Sequence, residues 1–320
     1  TNCPLIFGGV PVMAKHIVVL HFDHHPKSGI KAMPELAYLN GAFLPIDQAM
    51  VPIEDRGYQF GDAVYEYIAS YQGRLFCVDE HMARLRRSLD ELRFPKLDLV
   101  EIRAAVDALF QRSGFERAGI YVQISRGVAP RLHEYTDNMA PQVVMTIREL
   151  IEVAPGYLET GVGAITVADL RWGRCDIKSV QLLANAISKR QAIDAGVKDA
   201  IFVAEDGSVR EGTSSNLFMV TGGALKTHPL TRNILPGITR GVIIETCRRS
   251  GIAVEETFFD RQALYAADEV VLTGTTTEVL PLIEIDGQPI GDGKVGPMAR
   301  KLFAALRQRM AAGYRSLAAC

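Results

Sequence analysis

Arg171-Trp172-Gly173-Arg174-Cys175-Asp176-Ile177-Lys178-Ser179 lies between two segments of different hydrophobic period. Before it, Val162 to Leu170 reads as a strand, and after it, Leu182 to Ala195 reads as a helix. The alternation continues outward on both sides. Towards the C-terminus, strands are predicted near Asp199 to Ala204, Ser215 to Val220 and Glu269 to Thr273, with helices near Ile238 to Ser250 and Pro297 to Met310. Towards the N-terminus, Leu36 to Ile46 turns at Asn40-Gly41, the strongest short hairpin signal. Val64 to Tyr71 turns at Gln72-Gly73 into a strand from Arg74 to Val78. A helix capped by Asp79 should follow, because Met82, Leu85, Leu89 and Leu92 recur at helical spacing. Another runs from Asp98 to Ser113, with Ile102, Val106, Leu109 and Phe110 inward and Gly114 ending it. Gly119 to Arg126 and Gln142 to Glu149 then read as strands.

This pattern predicts an α/β (α+β) protein of two domains. The smaller occupies 34–152 and the larger 158–320, joined by a linker at 153–157 around Pro155-Gly156. A ligand between the two is the default expectation. Residues 1–33 read as an N-terminal extension outside the core. They precede a plausible start at Met33, and Pro4 to Ala14 lacks the basic segment of a secretion signal. Four of the seven histidines (His16, His21, His24 and His25) fall here. Imidazole is a common metal ligand, but no cysteine is spaced to partner them, so no metal site is expected.

The chain has 320 residues, 48% apolar and 22% charged, enough for two packed cores. Thirty-five basic against 37 acidic side chains leave a charge of −2, which offers no field for nucleic acid or an acidic membrane. A small-molecule partner fits better. No apolar run approaches the ~18 to 20 residues of a membrane span. Five scattered cysteines without a CxxC pair suit a reducing cytoplasm. Gly161-Val162-Gly163 lacks the third glycine of a dinucleotide fingerprint, and neither a GK[ST] phosphate loop nor a GxSxG elbow occurs.

Six segments together carry a resemblance: Glu54 to Asp62, Arg126 to His133, Arg171 to Ser179, Glu211 to Asn216, Leu235 to Arg240, and Leu272 to Glu278. In order and spacing they resemble the pyridoxal-phosphate enzymes of fold type IV, over about residues 36 to 312. That family includes branched-chain aminotransferases, aminodeoxychorismate lyases, R-selective amine transaminases and D-amino-acid aminotransferases. The resemblance implies a smaller N-terminal and a larger C-terminal domain with the cofactor, pyridoxal 5′-phosphate, at their interface.

Taken alone, Lys178 reads as a solvated charge; by resemblance it forms the internal Schiff base. A primary amine condenses with the cofactor aldehyde, is displaced by the substrate amine, and is then free to move a proton between substrate and cofactor. Glu211, otherwise a turn residue after Asp206-Gly207, matches the carboxylate beside the pyridine nitrogen. A negative partner there raises the nitrogen's proton affinity and makes the ring a better electron sink. For the phosphate, Ile238 and Thr239 open a predicted helix whose free amides receive anions. Thr275 follows a predicted strand, and Arg84 matches the family's phosphate arginine. Arg171 is a candidate for the cofactor's O3′.

Arg131-Leu132-His133 resembles the Arg-x-His pair of the D-amino-acid aminotransferases. With a tyrosine matching Tyr65, that pair binds the substrate α-carboxylate, reaching over from the neighbouring subunit of a homodimer. The plainer reading is a solvated turn at Pro130-Arg131. Lys178 serves one cofactor face only, so exchanging the carboxylate and side-chain pockets exchanges the enantiomer used. In the branched-chain enzymes, by resemblance, a tyrosine follows the lysine by five positions; here Leu183 stands there. The resemblance therefore implies transamination from a D-amino acid such as D-alanine to a 2-oxo acid such as 2-oxoglutarate. The rivals are an R-selective amine transaminase, a branched-chain aminotransferase, and a non-catalytic binding protein on the same scaffold.

Overall fold

Asn40 and Gly41 both adopt positive φ, the geometry that a two-residue hairpin turn demands. They join β1 (Leu36–Leu39) to β2 (Ala42–Pro45) in a computed structural model that describes residues 35–151 and 156–312. Gln72 and Gly73 turn β3 (Ala63–Tyr71) into β4 (Arg74–Leu75) in the same way. With β5 (Ala118–Ser125) and β6 (Gln142–Glu149) these strands form one antiparallel sheet, ordered β2-β1-β6-β5-β3-β4. A short helix, α1 (Arg56–Phe60), precedes β3. On the sheet pack α2 (Val78–Glu91) and α3 (Leu99–Ser113), through Leu85, Leu89, Val106 and Leu109 against Ile120, Val122 and Ile124. Each of these side chains is buried, contributing roughly 1.5–3 kcal/mol over an exposed position.

Two details differ from the sequence reading. The second hairpin arm ends at Leu75 rather than Val78, because after one further cross-strand bond from the Phe76 amide to the Ala69 carbonyl the chain turns left-handed at Cys77. The helix then starts at Val78 with Cys77 as its N-cap in left-handed geometry, so Asp79 is not the cap. Asp79 lies in the first turn instead, where a carboxylate faces the positive helix end and pairs with Arg103. Asp98 and Gly114 do cap α3.

The second sheet comprises β7 (Val162–Ala168), β8 (Asp199–Val203), β9 (Val209–Gly212), β10 (Asn216–Thr221), β11 (Ala224–Thr227), β12 (Val254–Glu256), β13 (Glu269–Gly274), β14 (Glu278–Ile285) and β15 (Gln288–Pro289). Their order is β12-β11-β10-β13-β14-β7-β8-β9, with β15 on β14. β9 also returns to β10 through the pair Asn216 and Glu211, closing part of the sheet on itself. Helices α4 (Tyr157–Thr160), α5 (Leu183–Asp194), α6 (Ile238–Arg249), α7 (Arg261–Tyr265) and α8 (Pro297–Ala311) accompany it. α6 and α8 pack through Val242, Ile243, Leu302 and Leu306 into one core cluster with Phe218 and Val271. No helix among the described residues is long and apolar enough to cross a membrane. Residues 1–33, with the four N-terminal histidines, and most of the linker lie outside the described residues.

Candidate active site

The lysine loop is tied to the first sheet by its backbone. The amide of Tyr65 donates to the Lys178 carbonyl at 2.9 Å, that of Val180 to Ala63 at 3.1 Å, and that of Lys178 to Ser88 Oγ at 3.3 Å. Lys178 is thereby fixed beside β3 and projects into a cavity of about 280 Å³ between residues of both sheets. Its Nζ stands 4.3 Å from the centre of the Tyr65 ring. Burial, assisted by the Arg84 cation, lowers the lysine to about 8 against the opposing pull of Glu66 and Glu211. About a tenth of the amine is therefore neutral at pH 7, far more than for a solvated lysine, and most of it is neutral above pH 8. Burial likewise pushes the Tyr65 phenol up to about 12, which keeps it a proton donor. Uptake of pyridoxal phosphate by the cofactor-free protein should consequently accelerate as pH rises through about 8 and level off above it. Visible absorbance during loading measures this; acceleration continuing unchanged to about pH 10 would mean an ordinary solvated lysine.

Glu211 lines the cavity from the point where β9 closes on β10. Its carboxylate accepts from Arg171 Nη1 at 2.5 Å, from Asn216 Nδ2 at 2.9 Å and from the Leu235 amide at 3.1 Å. Burial nevertheless pushes it up to about 7, the neighbouring Arg171 only partly offsetting the loss of water. Arg171 in turn is gripped by Asp169, through Nε at 2.9 Å and Nη2 at 2.9 Å, and donates to Asn233 O.

The same cavity is also lined by a cradle for an anion. Gly237 precedes α6 without any side-chain cap, leaving the first-turn amides of Ile238 and Thr239 open to the cavity. A Cβ at position 237 would come within 2.0 Å of Asn216 Oδ1, so only glycine fits there. Thr275 completes the rim after β13. Arg84 enters from α2, bonded to Glu66 through Nε (2.8 Å) and Nη2 (2.7 Å) and to Pro236 O through Nη1 (3.0 Å). Three of its five N–H groups are thus engaged, which orients the fork and leaves two donors. Glu66 is wholly buried and also accepts from His81 Nδ1 at 2.7 Å.

Burial alone would raise Glu66, but Arg84 and His81 hold it well below the usual carboxylate range. Its folded pKa being depressed, its stabilisation is complete above the unfolded value near 4.5 and lost as pH falls through the folded value. At neutral pH Glu66→Gln should therefore destabilise the fold by about 3–5 kcal/mol, the usual cost of breaking a buried ion pair. Urea unfolding of the variant measures this. A loss below about 1 kcal/mol, the scale of an exposed pair, would show that the cluster is solvated.

Of the residues named from sequence, Lys178, Tyr65, Arg84, Glu211, Ile238, Thr239 and Thr275 line this one cavity, as does Arg171. Arg131 and His133 do not. They sit on the exposed loop after β5, beside Phe60. Leu183 opens α5 and is exposed. Glu66, His81 and Asp169 were missed. The signal for Glu66 was present as a carboxylate within the aromatic strand Val64 to Tyr71, where an unpaired charge is not tolerated.

An amine, a proton-binding carboxylate and an anion cradle around one cavity match the aldehyde, ring nitrogen and phosphate of pyridoxal phosphate. Fold and site define a pyridoxal-phosphate enzyme of fold type IV. The amino-transferase class IV family matches residues 63–285, and the chain belongs to that family. It is 43% identical over 273 residues to the D-alanine aminotransferase of Bacillus licheniformis, covering 84% of this chain and 94% of the relative. It is 42% identical over 269 residues to that of Staphylococcus haemolyticus, covering 83% and 94%. Among solved structures it is similar to the branched-chain amino acid aminotransferase of Escherichia coli, with a TM-score of 0.82, 26% identity, and 89% and 97% of the two chains covered. It is equally similar to the T.th. branched-chain amino acid aminotransferase solved with pyridoxamine 5′-phosphate, at a TM-score of 0.82, 27% identity, and coverage of 88% and 96%.

Proposed function

We propose that this aminotransferase moves the amino group of a D-amino acid such as D-alanine to a 2-oxo acid such as 2-oxoglutarate, giving pyruvate and D-glutamate. The observation that carries the reading is identity. The chain agrees at 43% with a D-alanine aminotransferase but at 26–27% with the branched-chain enzymes whose fold it shares. Bound pyridoxal phosphate supplies an aldehyde to take the amino group and a ring to accept electrons from the substrate Cα. Lys178 holds the cofactor and carries the proton at that carbon. Glu211 keeps a proton on the ring nitrogen, and Arg84, Ile238, Thr239 and Thr275 hold the phosphate.

Tyr65, Arg131 and His133 take the substrate carboxylate. Because Arg131 and His133 stand outside the cavity of their own chain, the reading requires a homodimer in which they reach the cavity of a second copy. The exposure of Tyr58, Val128 and Leu132 around them supports an interface. The two sheets correspond, in this reading, to domains 34–152 and 158–320 joined at 153–157. A reducing cytoplasm fits the free thiols of Cys77, Cys175 and Cys247.

A substrate panel with 2-oxoglutarate as acceptor tests the proposal. D-alanine should be used strongly, L-leucine poorly and R-1-phenylethylamine hardly at all. Arg131→Ala should cost about 2–4 kcal/mol in kcat/KM for D-amino acids, the loss of a charge-assisted bond in a partly desolvated site. Amines without a carboxylate should lose much less. A wild-type preference for L-leucine, or an equal loss for amines and amino acids, overturns the D-amino-acid reading.

A further inference from the structure

We infer that Arg56 is a positioning residue for the carboxylate trap, holding the loop of Arg131 and His133 by its backbone. This rests on the role proposed above for those two side chains.

Arg56 is buried in α1 and does not line the cavity of its chain. Its guanidinium points at three consecutive carbonyls. Nη1 donates to Leu132 O at 2.7 Å and Glu134 O at 3.4 Å, and Nη2 to His133 O at 3.3 Å. Nε is fixed on Asp62 Oδ2 at 2.9 Å, and the same oxygen receives Arg126 Nε at 2.8 Å. Phe60 supplies the other contact surface, its ring centre 4.7 Å from the Arg56 guanidinium carbon, 5.1 Å from that of Arg131, and 5.7 Å from the His133 ring, which it meets edge-on.

The two segments are also zipped along their backbones, by Arg56 N to Gly127 O, Arg126 N to Asp62 O and Ala129 N to Glu54 O. Gly127 also lets the loop close against its own far end. Its φ of +120° suits glycine, and a Cβ there would meet Ala140 O at 2.2 Å.

The consequence is preorganisation. An exposed loop bearing two polar side chains would otherwise lose its freedom only on binding substrate, and affinity would fall accordingly. A planar fork serves three carbonyls and a carboxylate at once; a lysine ammonium, a compact point charge, does not reproduce that spread.

The test is a double-mutant cycle between Arg56→Lys and Arg131→Ala. The readout is the half-reaction of the cofactor-loaded dimer with D-alanine, followed by visible absorbance against substrate concentration. Arg56→Lys should raise half-saturation about tenfold, the scale of coupling within one network. The limiting rate should stay within about twofold, and in the Arg131→Ala background the same change should add clearly less, since only the His133 contribution remains to be lost. Unchanged half-saturation, or an equal effect with and without Arg131, overturns the inference. Should Arg56→Lys not accumulate as folded protein, Arg56→Gln, which still leaves Asp62 paired with Arg126, runs the same cycle with the same expected and overturning results. If Arg131→Ala alone leaves half-saturation unaltered, the trap falls and the inference with it. A strong Arg131→Ala effect beside a silent Arg56→Lys overturns the positioning role alone.

Discussion

Lys178→Ala is expected to abolish transamination while leaving the fold intact. In the proposed reading this amine holds the cofactor and carries the proton, so its loss should reach or exceed the ~10⁴-fold upper end of acid–base effects. The fold should survive because what anchors residue 178 is backbone. The bonds from the Tyr65 amide to its carbonyl and from its own amide to Ser88 Oγ are available to any residue. Removing a buried amine whose charged form is already disfavoured costs no ion pair among the described residues. Compared as cofactor-free proteins, the variant should melt no lower than wild type, and it should release pyridoxal phosphate on dialysis. In wild type, borohydride followed by peptide mapping should find the cofactor on the Lys178 peptide. Full activity in the variant, or cofactor fixed to another lysine, sinks the assignment.

Much of this site was legible because its chemistry is local in sequence. The lysine loop, the Glu211 strand and the helix opened by Gly237 each put a functional group beside the turn or cap that positions it. The hairpins at Asn40-Gly41 and Gln72-Gly73 were legible for the same reason, since left-handed backbone selects few residues. What pattern reasoning missed was set by tertiary contact. β14 went unread because Pro281 interrupts an otherwise apolar run and normally marks an edge. In the fold, Pro281 is paired on the β13 side only, the ladder to β7 beginning at Leu282, so the proline sits where β14 behaves as an edge. α1, five residues long, is too short to show a helical period. Asp79 was preferred as a cap because nothing in the sequence indicates that Cys77 turns left-handed. The buried carboxylate Glu66 finds Arg84 18 residues away, and Asp169, although it also grips nearby Arg171, takes Arg210 from 41 residues away.

Glu211→Gln should keep the cofactor bound yet slow the D-alanine half-reaction by ~10² to 10⁴, the cost of losing a group that stabilises charge in the transition state. The geometry explains why so small a change matters. The carboxylate offers two oxygens to three donors, Arg171, Asn216 and the Leu235 amide, and a proton on the ring nitrogen would be a fourth. Glutamine has one acceptor oxygen, and its amide must then face either a cation or another N–H. Burial has already lifted Glu211 to about 7, so the native side chain binds a proton readily at neutral pH and still carries charge to hold one on the ring. Glutamine does neither. The phosphate cradle and Lys178 are untouched by the substitution, so absorbance should still report bound cofactor while single-turnover rates fall. If those rates equal wild type, Glu211 does not meet the ring, and the proton on its nitrogen must be held by another group.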